Sequence, residues 1–353
     1  MPIHLFAHLL TNCCFDQRAN EKRSVPLSHL VYCKIVCRLG VGSTVMRSIG
    51  SGGCFMDLSL RQRLSEVVCS AENFGLTGIR PQVLSDAGNL IVHLIPYPVV
   101  ARVATLFPGD DASIERHIFE RELRVANHLS RCRVPVVLPC SMISPGPHPV
   151  GETCMTLWEY APIPEYPSSL NTHDGLQMVR ALTSAMAQFD EPLPPLGAWR
   201  HGIEARNVLR TVEVMDERID WLLTAFDRLT ADIQDMALAP AHGDAHEGNL
   251  LPIACGWRWV DFEDVSLMPV FWDVASFLAH RALRGERPAL EFEQVLEALS
   301  REQQITLRRT LEARLISTAL TNAGLAWRRQ ADLPVALSRI DRIRSMLAAW
   351  NPL

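Results

Sequence analysis

The sequence predicts an α+β protein with a sheet-rich first part and a larger, mainly helical second part. Short runs of apolar residues, separated by turn signals, follow one another between residues 82 and 106, a pattern typical of antiparallel hairpins. From residue 174 onward, apolar residues recur at helical spacing between proline-containing segments. A chain of 353 residues is long enough for two lobes. We therefore expect a small antiparallel-sheet lobe followed by a larger helical lobe.

The composition excludes several classes of partner. The net charge is −5 and the pI about 6.2, so no general attraction to nucleic acid or to an anionic membrane is expected. No apolar run approaches the roughly 20 residues needed to span a bilayer. The five cysteines after residue 57 are scattered singly through apolar surroundings, which indicates buried thiols in a reducing compartment rather than a disulfide framework. We expect a cytoplasmic protein.

The helices and strands predicted from residue 113 onward follow from the spacing of apolar residues and from turn residues. A helix is expected at 113–130, followed by a strand pair, 134–143 and 153–157, across a Pro/Gly-rich turn at 144–151. Further helices are predicted at 174–189, 216–236, 273–284, 290–299, 301–327 and 334–349. The predicted domains are an N-terminal extension at 1–55, a small nucleotide-binding lobe at 56–158 and a large catalytic and acceptor-binding lobe at 159–353.

The extension differs from the rest of the chain. It ends in a Gly/Ser-rich segment at 40–53, which is typical of a linker. We expect residues 1–55 to be disordered, or to be a translated leader of a protein whose native start is Met46 or Met56.

The chemistry-bearing stretch is His242-Gly243-Asp244, followed five residues after Asp244 by Asn249 and twelve residues later by Asp261-Phe262-Glu263. Phosphoryl transfer from a nucleotide needs this combination. One carboxylate orients the acceptor hydroxyl, while an amide and a second carboxylate hold Mg²⁺ against the phosphates. Two alternatives are a strand that presents metal ligands at every second residue and a solvated loop without chemical function. The two glycines of the loop disfavour a regular strand.

These motifs resemble the aminoglycoside phosphotransferase family of the kinase-like superfamily, whose catalytic loop reads H-G-D-x-H-x-x-N. Pro269 and the run from Trp272 to Ala275 are also similar to the family's segment after the metal-binding Asp. The resemblance implies a protein-kinase-like two-lobed fold and a phosphotransferase that uses ATP or GTP with Mg²⁺. It also implies that the backbone of Glu159 and Ala161 hydrogen-bonds adenine.

Within this interpretation, Asp244 is the base or the orienter of the acceptor hydroxyl, and Asn249 and Asp261 are the metal ligands. His246 either reaches the transferred phosphate or only packs the loop. His242 is expected to satisfy backbone groups, and Asp273 to tie down the loop as a hydrogen-bond acceptor.

If the fold is kinase-like, Arg102 must supply the cation that binds the nucleotide phosphates. In a kinase-like site this cation is commonly a lysine on the third strand, but the only lysines of the chain are Lys22 and Lys34. The strand reads Val99-Val100-Ala101-Arg102-Val103, and its alternation puts Arg102 on the opposite face from Val99, Ala101 and Val103. Glu122 is the expected partner of Arg102, since Glu120 lies about 200° around the helix from Glu122.

The phosphate acceptor is predicted only as the hydroxyl of a small molecule. An acidic cluster of Glu286, Glu291, Glu293 and Glu297 would suit a polycationic sugar or a choline-like amine, but an ordinary solvated helix face is the preferred interpretation of these residues. The alternative function is a nucleotide-binding kinase-like module without turnover.

Overall fold

The structure is a computed structural model that describes residues 58–86, 88–105, 111–211, 216–284, 295–329 and 332–350. These residues form two compact units. The sheet unit contains the described residues up to Ser168 together with Gly248–Glu263. The helical unit contains Ser169–Glu247 and the described residues from Asp264 onward. The predicted extension at 1–55 and residues 290–294 of one predicted helix lie outside the described part of the chain.

The helices are α1 (Leu58–Glu72), α2 (Ala112–Arg131), α3 (Thr172–Met186), α4 (Arg200–Thr211), α5 (Glu217–Asp232), α6 (Trp272–Leu283), α7 (Arg301–Arg329) and α8 (Leu333–Trp350). The strands are β1 (Arg80–Ser85), β2 (Leu90–Ile95), β3 (Val99–Val103), β4 (His148–Val150), β5 (Thr153–Glu159), β6 (Leu238–Ala241), β7 (Leu250–Ile253), β8 (Gly256–Trp259) and β9 (Ser266–Pro269).

The sheet unit is built around a five-stranded antiparallel sheet in the order β1-β2-β3-β5-β4. Its middle strand β3 is buried along its whole length, because both of its faces are covered. Alternate residues of β2 and β3 join Leu64 and Val67 of α1 in one apolar cluster. A second cluster contains Phe119 of α2 and Cys154 of β5. The α+β class and the antiparallel small sheet are as predicted.

The strand predicted at 134–143 was wrong. This segment makes only isolated bridges, one between Val136 and Trp259 and one between Pro139 and Trp158. Its prolines, Pro135 and Pro139, have no N–H to donate to a ladder. The short strand β4 pairs with β5 instead, so the turn between the paired strands lies at residues 151–152.

The helical unit is organised around α7, which contacts α4, α5, α6 and α8. Three aromatic rings support this packing. Trp199 stacks on Phe226 at 4.5 Å between ring centres and meets Trp272 edge-on at 6.2 Å. Two strands, β6 and β9, pair antiparallel in the same unit.

Helix α4 was missed by the sequence analysis. Its buried residues are Gly202, Ala205 and Leu209, and two of these are too small to make an apolar stripe stand out. The small residue at 202 is required, because a Cβ there would approach Phe226 to 2.5 Å.

Two further properties hold for the described residues. None of their helices is long and apolar enough to cross a membrane. Their cysteines, Cys69, Cys132, Cys140, Cys154 and Cys255, are all free thiols. Cys140 and Cys154 are buried as predicted, but the prediction was wrong for Cys69 and Cys255, which are exposed.

The contact between α3 and α6 gives a test of the helical unit. A methyl group at Gly175 would lie 2.1 Å from Cζ of Phe277, whose side chain is fully buried. We expect Gly175→Ala to lower the free energy of unfolding by about 1–3 kcal/mol, although alanine is the better helix former. Urea denaturation measures this change. The control Ser184→Ala, at an exposed position of α3, should stay within about 0.5 kcal/mol of wild type. A stabilised Gly175→Ala protein would contradict the packing described here.

Candidate functional site

The guanidinium of Arg102 is the centre of a partly buried ion-pair network in the sheet unit. Its Nη1 donates to Oε2 of Glu122. Its Nη2 donates to Oδ1 of Asp261 at 2.7 Å and to Oε2 of Glu263 at 2.6 Å. The Cζ atom also lies 5.2 Å from the ring centre of Phe119. The predicted pairing of Arg102 with Glu122 is therefore present, and the same arginine joins β3, α2 and the segment after β8.

Local structure explains how these residues meet. Val99, Ala101 and Val103 point into the apolar cluster with α1, which leaves Arg102 on the face that meets α2, as the alternation predicted. Glu122 is 1% exposed, and its Oε1 accepts the backbone N–H of Phe262 at 3.0 Å. Phe262 is itself buried. Glu122 therefore holds the Asp261-Phe262-Glu263 segment directly through Oε1 and, by way of Arg102, through Oε2.

The electrostatics of the network favour a charged arginine. Burial lowers the pKa of Arg102, but the charges of Glu122, Asp261 and Glu263 outweigh burial and raise it above its usual value. Burial raises the pKa of Glu122, and the charge of Arg102 opposes that shift. Three carboxylates thus face one guanidinium, which leaves an excess of negative charge.

Two residues of this network were missed by the sequence analysis. Glu263 also accepts a hydrogen bond from Nδ2 of Asn89 at 2.8 Å, and its carbonyl accepts from Arg121 at 2.8 Å. Asn89 ends the loop between β1 and β2 and accepts the N–H of Thr105 at 3.1 Å. The acidic residue at the third position of the Asp261-Phe262-Glu263 motif was the available signal.

The loop that carries Asp244 begins where β6 ends, at Ala241, in the helical unit. Gly243 has a φ of 88°, and a Cβ there would lie 2.2 Å from the carbonyl oxygen of Asp264, so only glycine fits. Asp273 accepts the backbone N–H groups of His242 and Gly243 at 2.9 and 3.1 Å. Trp272 donates to the carbonyl of Gly243 at 2.7 Å. Asp273 therefore ties down the loop, as expected, and the loop is not the strand of the metal-ligand alternative.

Both carboxylate oxygens of Asp244 have a partner. Arg314 of α7 donates to Oδ1, and Nε2 of His246 lies 3.1 Å from Oδ2. Burial raises the pKa of Asp244, but the charges of His246 and Arg314 outweigh it and bring it well below the usual range. Asp244 is therefore a carboxylate near neutral pH. Arg314 is 70 residues away in the sequence and was not predicted.

The histidines of the loop have structural contacts. The ring of His246 stacks on that of His280 at 4.4 Å with an angle of 9° between the planes. His242 is fully buried, and its Nδ1 accepts the N–H of Asp244 at 3.4 Å, as predicted. Asp264 pairs with Nε2 of His201 at 2.7 Å. Burial raises the pKa of Asp264, yet the charge of His201 brings it below its usual value.

The other predicted residues lie in the sheet unit. Asn249 is buried, and its carbonyl accepts the N–H of Val260 at 3.0 Å. Asp261 has a φ of 69°, a left-handed conformation that costs a non-glycine residue roughly 1–2 kcal/mol. At the end of β5, the N–H of Glu159 donates to the carbonyl of Leu138 at 2.9 Å, and Ala161 is buried.

Comparison with known proteins identifies the class to which this fold and these residues belong. A family model described as the phosphotransferase enzyme family, APH, matches residues 98–315, which is more than half of the chain. The chain belongs to this family. It is therefore a phosphotransferase that acts on small-molecule hydroxyl groups.

Solved structures share the fold. Choline kinase LicA from Streptococcus pneumoniae superposes with a TM-score of 0.57 at 15% identity, covering 81% of this chain and 99% of that chain. Amicoumacin kinase hAmiN, solved in complex with AMP-PNP, Ca²⁺ and Ami, has a TM-score of 0.55 at 14% identity, covering 82% and 96%. The fold is thus protein-kinase-like. No protein with a curated function matches the sequence significantly.

The ion pair of Arg102 and Glu122 predicts a large effect on stability. Glu122→Ala would leave a buried guanidinium without its innermost partner and the N–H of Phe262 without an acceptor, so we expect a loss of about 3 kcal/mol. Urea denaturation of wild type and variant measures it. The control is Glu120→Ala on the same helix, where the glutamate only pairs with Arg116 at the surface and contributes about 0–1 kcal/mol. An equal decrease in the free energy of unfolding in the two variants would mean that the buried pair contributes no more to stability than the surface pair.

Proposed function

We propose that the protein transfers the γ-phosphate of ATP or GTP to a hydroxyl group of a small molecule with the help of Mg²⁺. The observation that carries this proposal is the Arg102 network. One guanidinium bridges a helix glutamate, Glu122, and the aspartate of the metal motif, Asp261. A kinase-like site uses a cation, a helix glutamate and a metal-binding aspartate to bind nucleotide phosphates.

The residues present fit a divalent metal ion and a triphosphate. Asn249 and Asp261 offer an amide and a carboxylate oxygen, which are ligand types that Mg²⁺ takes. The three carboxylates around Arg102 carry more negative charge than the guanidinium neutralises. When bound, Mg²⁺ supplies the positive charge that stabilises the transferring phosphoryl group.

Arg102 contributes to nucleotide binding through its charge and its donors. An arginine keeps its charge when buried and presents its N–H groups in a planar fork that fits phosphate oxygens. Glu122 fixes one side of that fork through Nη1. The role of Glu122 is therefore to orient the arginine rather than to touch the nucleotide.

The adenine contact is proposed at the end of β5. The N–H of Glu159 already donates to Leu138, so Glu159 would use its carbonyl, and Ala161 its N–H. The neighbours support a nucleotide: the LicA kinase has been solved with AMP and hAmiN with AMP-PNP and Ca²⁺. The division into a small lobe at 56–158 and a large lobe at 159–353 belongs to the same proposal.

Asp244 is proposed to orient the acceptor hydroxyl. Its low pKa makes it a weak base, and a loose phosphoryl transfer requires positioning more than early proton abstraction. His246 holds Oδ2 and so fixes the rotation of the carboxylate. A contact between His246 and the transferred phosphate stays a prediction, since the imidazole ring of His246 also packs against His280.

The function is tested by ADP release with Mg²⁺-ATP and a panel of hydroxyl acceptors. Asp244→Asn keeps the shape of the side chain and removes the carboxylate, so turnover should fall by roughly 10²–10⁴-fold while nucleotide still raises the melting temperature. The control Asp190→Asn, at an exposed position, should match wild type. Nucleotide binding without ADP release for any acceptor would favour the binding module without turnover. More than about a tenth of wild-type turnover in Asp244→Asn would contradict the role given to this residue.

The small-lobe cation is tested separately. We expect Arg102→Ala to raise the KM for the nucleotide and to lower turnover. Arg102→Lys should retain only part of the wild-type nucleotide affinity and turnover, because an ammonium lacks the planar fork of the guanidinium. The control is Arg80→Ala, which removes an exposed arginine from the same sheet. Melting curves establish that each variant is folded. Full activity in folded Arg102→Ala would refute the phosphate contact.

A further inference from the structure

The guanidinium of Arg314 has donors to spare next to Asp244. Its Nη2 donates to Asp244, and its Cζ lies 5.7 Å from the ring centre of Trp272. Among the described residues Asp244 is its one polar partner, and its buried Nε has no hydrogen-bond partner. The side chain is 13% exposed, so solvent still reaches part of it. A guanidinium has five N–H donors, and most of those of Arg314 are left for another acceptor.

The face of α6 that meets the loop around Asp244 carries two more buried polar groups without a described partner, one on Ser276 and one on His280. Asp273, Ser276 and His280 follow one another at spacings of three and four residues, which places them on one side of a helix. Asp273 binds the loop backbone, and His280 stacks on His246. Oγ of Ser276 and Nδ1 of His280 are buried and, within the described chain, have no hydrogen-bond partner. A buried polar group without a hydrogen-bond partner is unfavourable, and a bound ligand that pairs with it would remove this penalty.

The charges beside Asp244 select the kind of ligand. Arg314 already neutralises this carboxylate, so a cationic acceptor would gain little from Asp244 and would be repelled by the arginine. Burial lowers the pKa of His280 well below its usual range, which makes its imidazole neutral and able to donate one N–H. A guanidinium, an imidazole N–H and a hydroxyl are together the donors that a carboxylate or a phosphate accepts from.

We propose that Arg314, Ser276 and His280 form a subsite for an oxyanion of the acceptor. The acceptor is then a small hydroxy compound that also carries a carboxylate or a phosphate, rather than a polycationic sugar or a choline-like amine. Because Arg314 touches Asp244 directly, only a few bonds separate the reacting hydroxyl from the oxyanion. The inference rests on the proposed function, in which Asp244 orients that hydroxyl.

The test uses acceptors matched in skeleton and different in charge. Glucuronate, glucose and glucosamine form one set, glycerate and glycerol a second, and serine and ethanolamine a third; glucose 6-phosphate provides the phosphate arm. Isothermal titration without nucleotide measures the binding of each probe, and ADP release with Mg²⁺-ATP measures kcat/KM. The variants are Arg314→Gln and Arg314→Lys. The control is Arg309→Gln, which removes an exposed arginine from the same helix.

We expect the best acceptor to be anionic and to exceed its neutral match at least about tenfold in affinity and in kcat/KM, which corresponds to about 1.4 kcal/mol. Arg314→Gln should remove this preference, Arg314→Lys should keep part of it, and Arg309→Gln all of it. Mg²⁺-AMP-PNP should still raise the melting temperature of each variant. If Arg314→Gln fails to fold, the comparison of the matched probes on wild type and Arg314→Lys decides.

Three results would overturn the subsite: a preference for glucosamine, ethanolamine or choline, an anion preference unchanged in Arg314→Gln, or no binding of any anionic probe. Failure of the proposed function has a different signature. The phosphotransferase stands, without the oxyanion subsite, if a neutral or cationic acceptor releases ADP and Asp244→Asn abolishes that release. If anionic probes bind through Arg314 but no acceptor releases ADP, the subsite stands and the transfer reaction does not.

Discussion

The contact between Arg102 and Glu122 is the interaction on which the sheet unit depends most. It joins a central strand, the helix packed against it and a segment 140 residues further along the chain, because Glu122 also holds the backbone of Phe262. A buried ion pair is a weak source of net stability, yet removing one partner leaves the other charge stranded. The pair therefore stabilises one conformation of the Asp261-Phe262-Glu263 segment. Any conformation that breaks the pair leaves a buried charge without a partner. Asp261 has a left-handed backbone conformation, and its neighbours on both sides are hydrogen-bonded through their N–H groups, Val260 to Asn249 and Phe262 to Glu122.

In the helical unit, hydrogen bonds to the backbone hold the loop around Asp244 in one conformation. The loop around Asp244 has little regular structure, but Asp273 and Trp272 take its N–H and carbonyl groups. Gly243 lets the chain pass within contact distance of Asp264. A carboxylate that is held on both oxygens and is ionised well into the acid range suits positioning better than proton abstraction. These contacts support the positioning role that is proposed for Asp244.

Local patterns in the sequence were sufficient to predict much of this architecture. Period-two alternation in β3 placed Arg102 on the correct face, and helix geometry selected Glu122 over Glu120. The same local rules failed at 134–143, where apolar alternation suggested a strand and two prolines removed the ladder donors. Arg314 could not be selected, because it is one of several arginines on a 29-residue helix and its partner is 70 residues away. The contact of Asn89 with Glu263 spans 174 residues, a distance over which a single sequence carries no pairing signal.

The use of arginine in β3 has a consequence for the chemical labelling of this protein. The only lysines, Lys22 and Lys34, precede every residue that the structure describes. Acylating nucleotide probes, which react with an amine near the phosphates, would find no target at position 102, whereas dicarbonyl reagents that modify guanidinium groups would. Enzymatic acetylation, a lysine-directed switch, has no substrate there either. A survey of nucleotide-binding proteins based on amine chemistry would therefore not report on position 102.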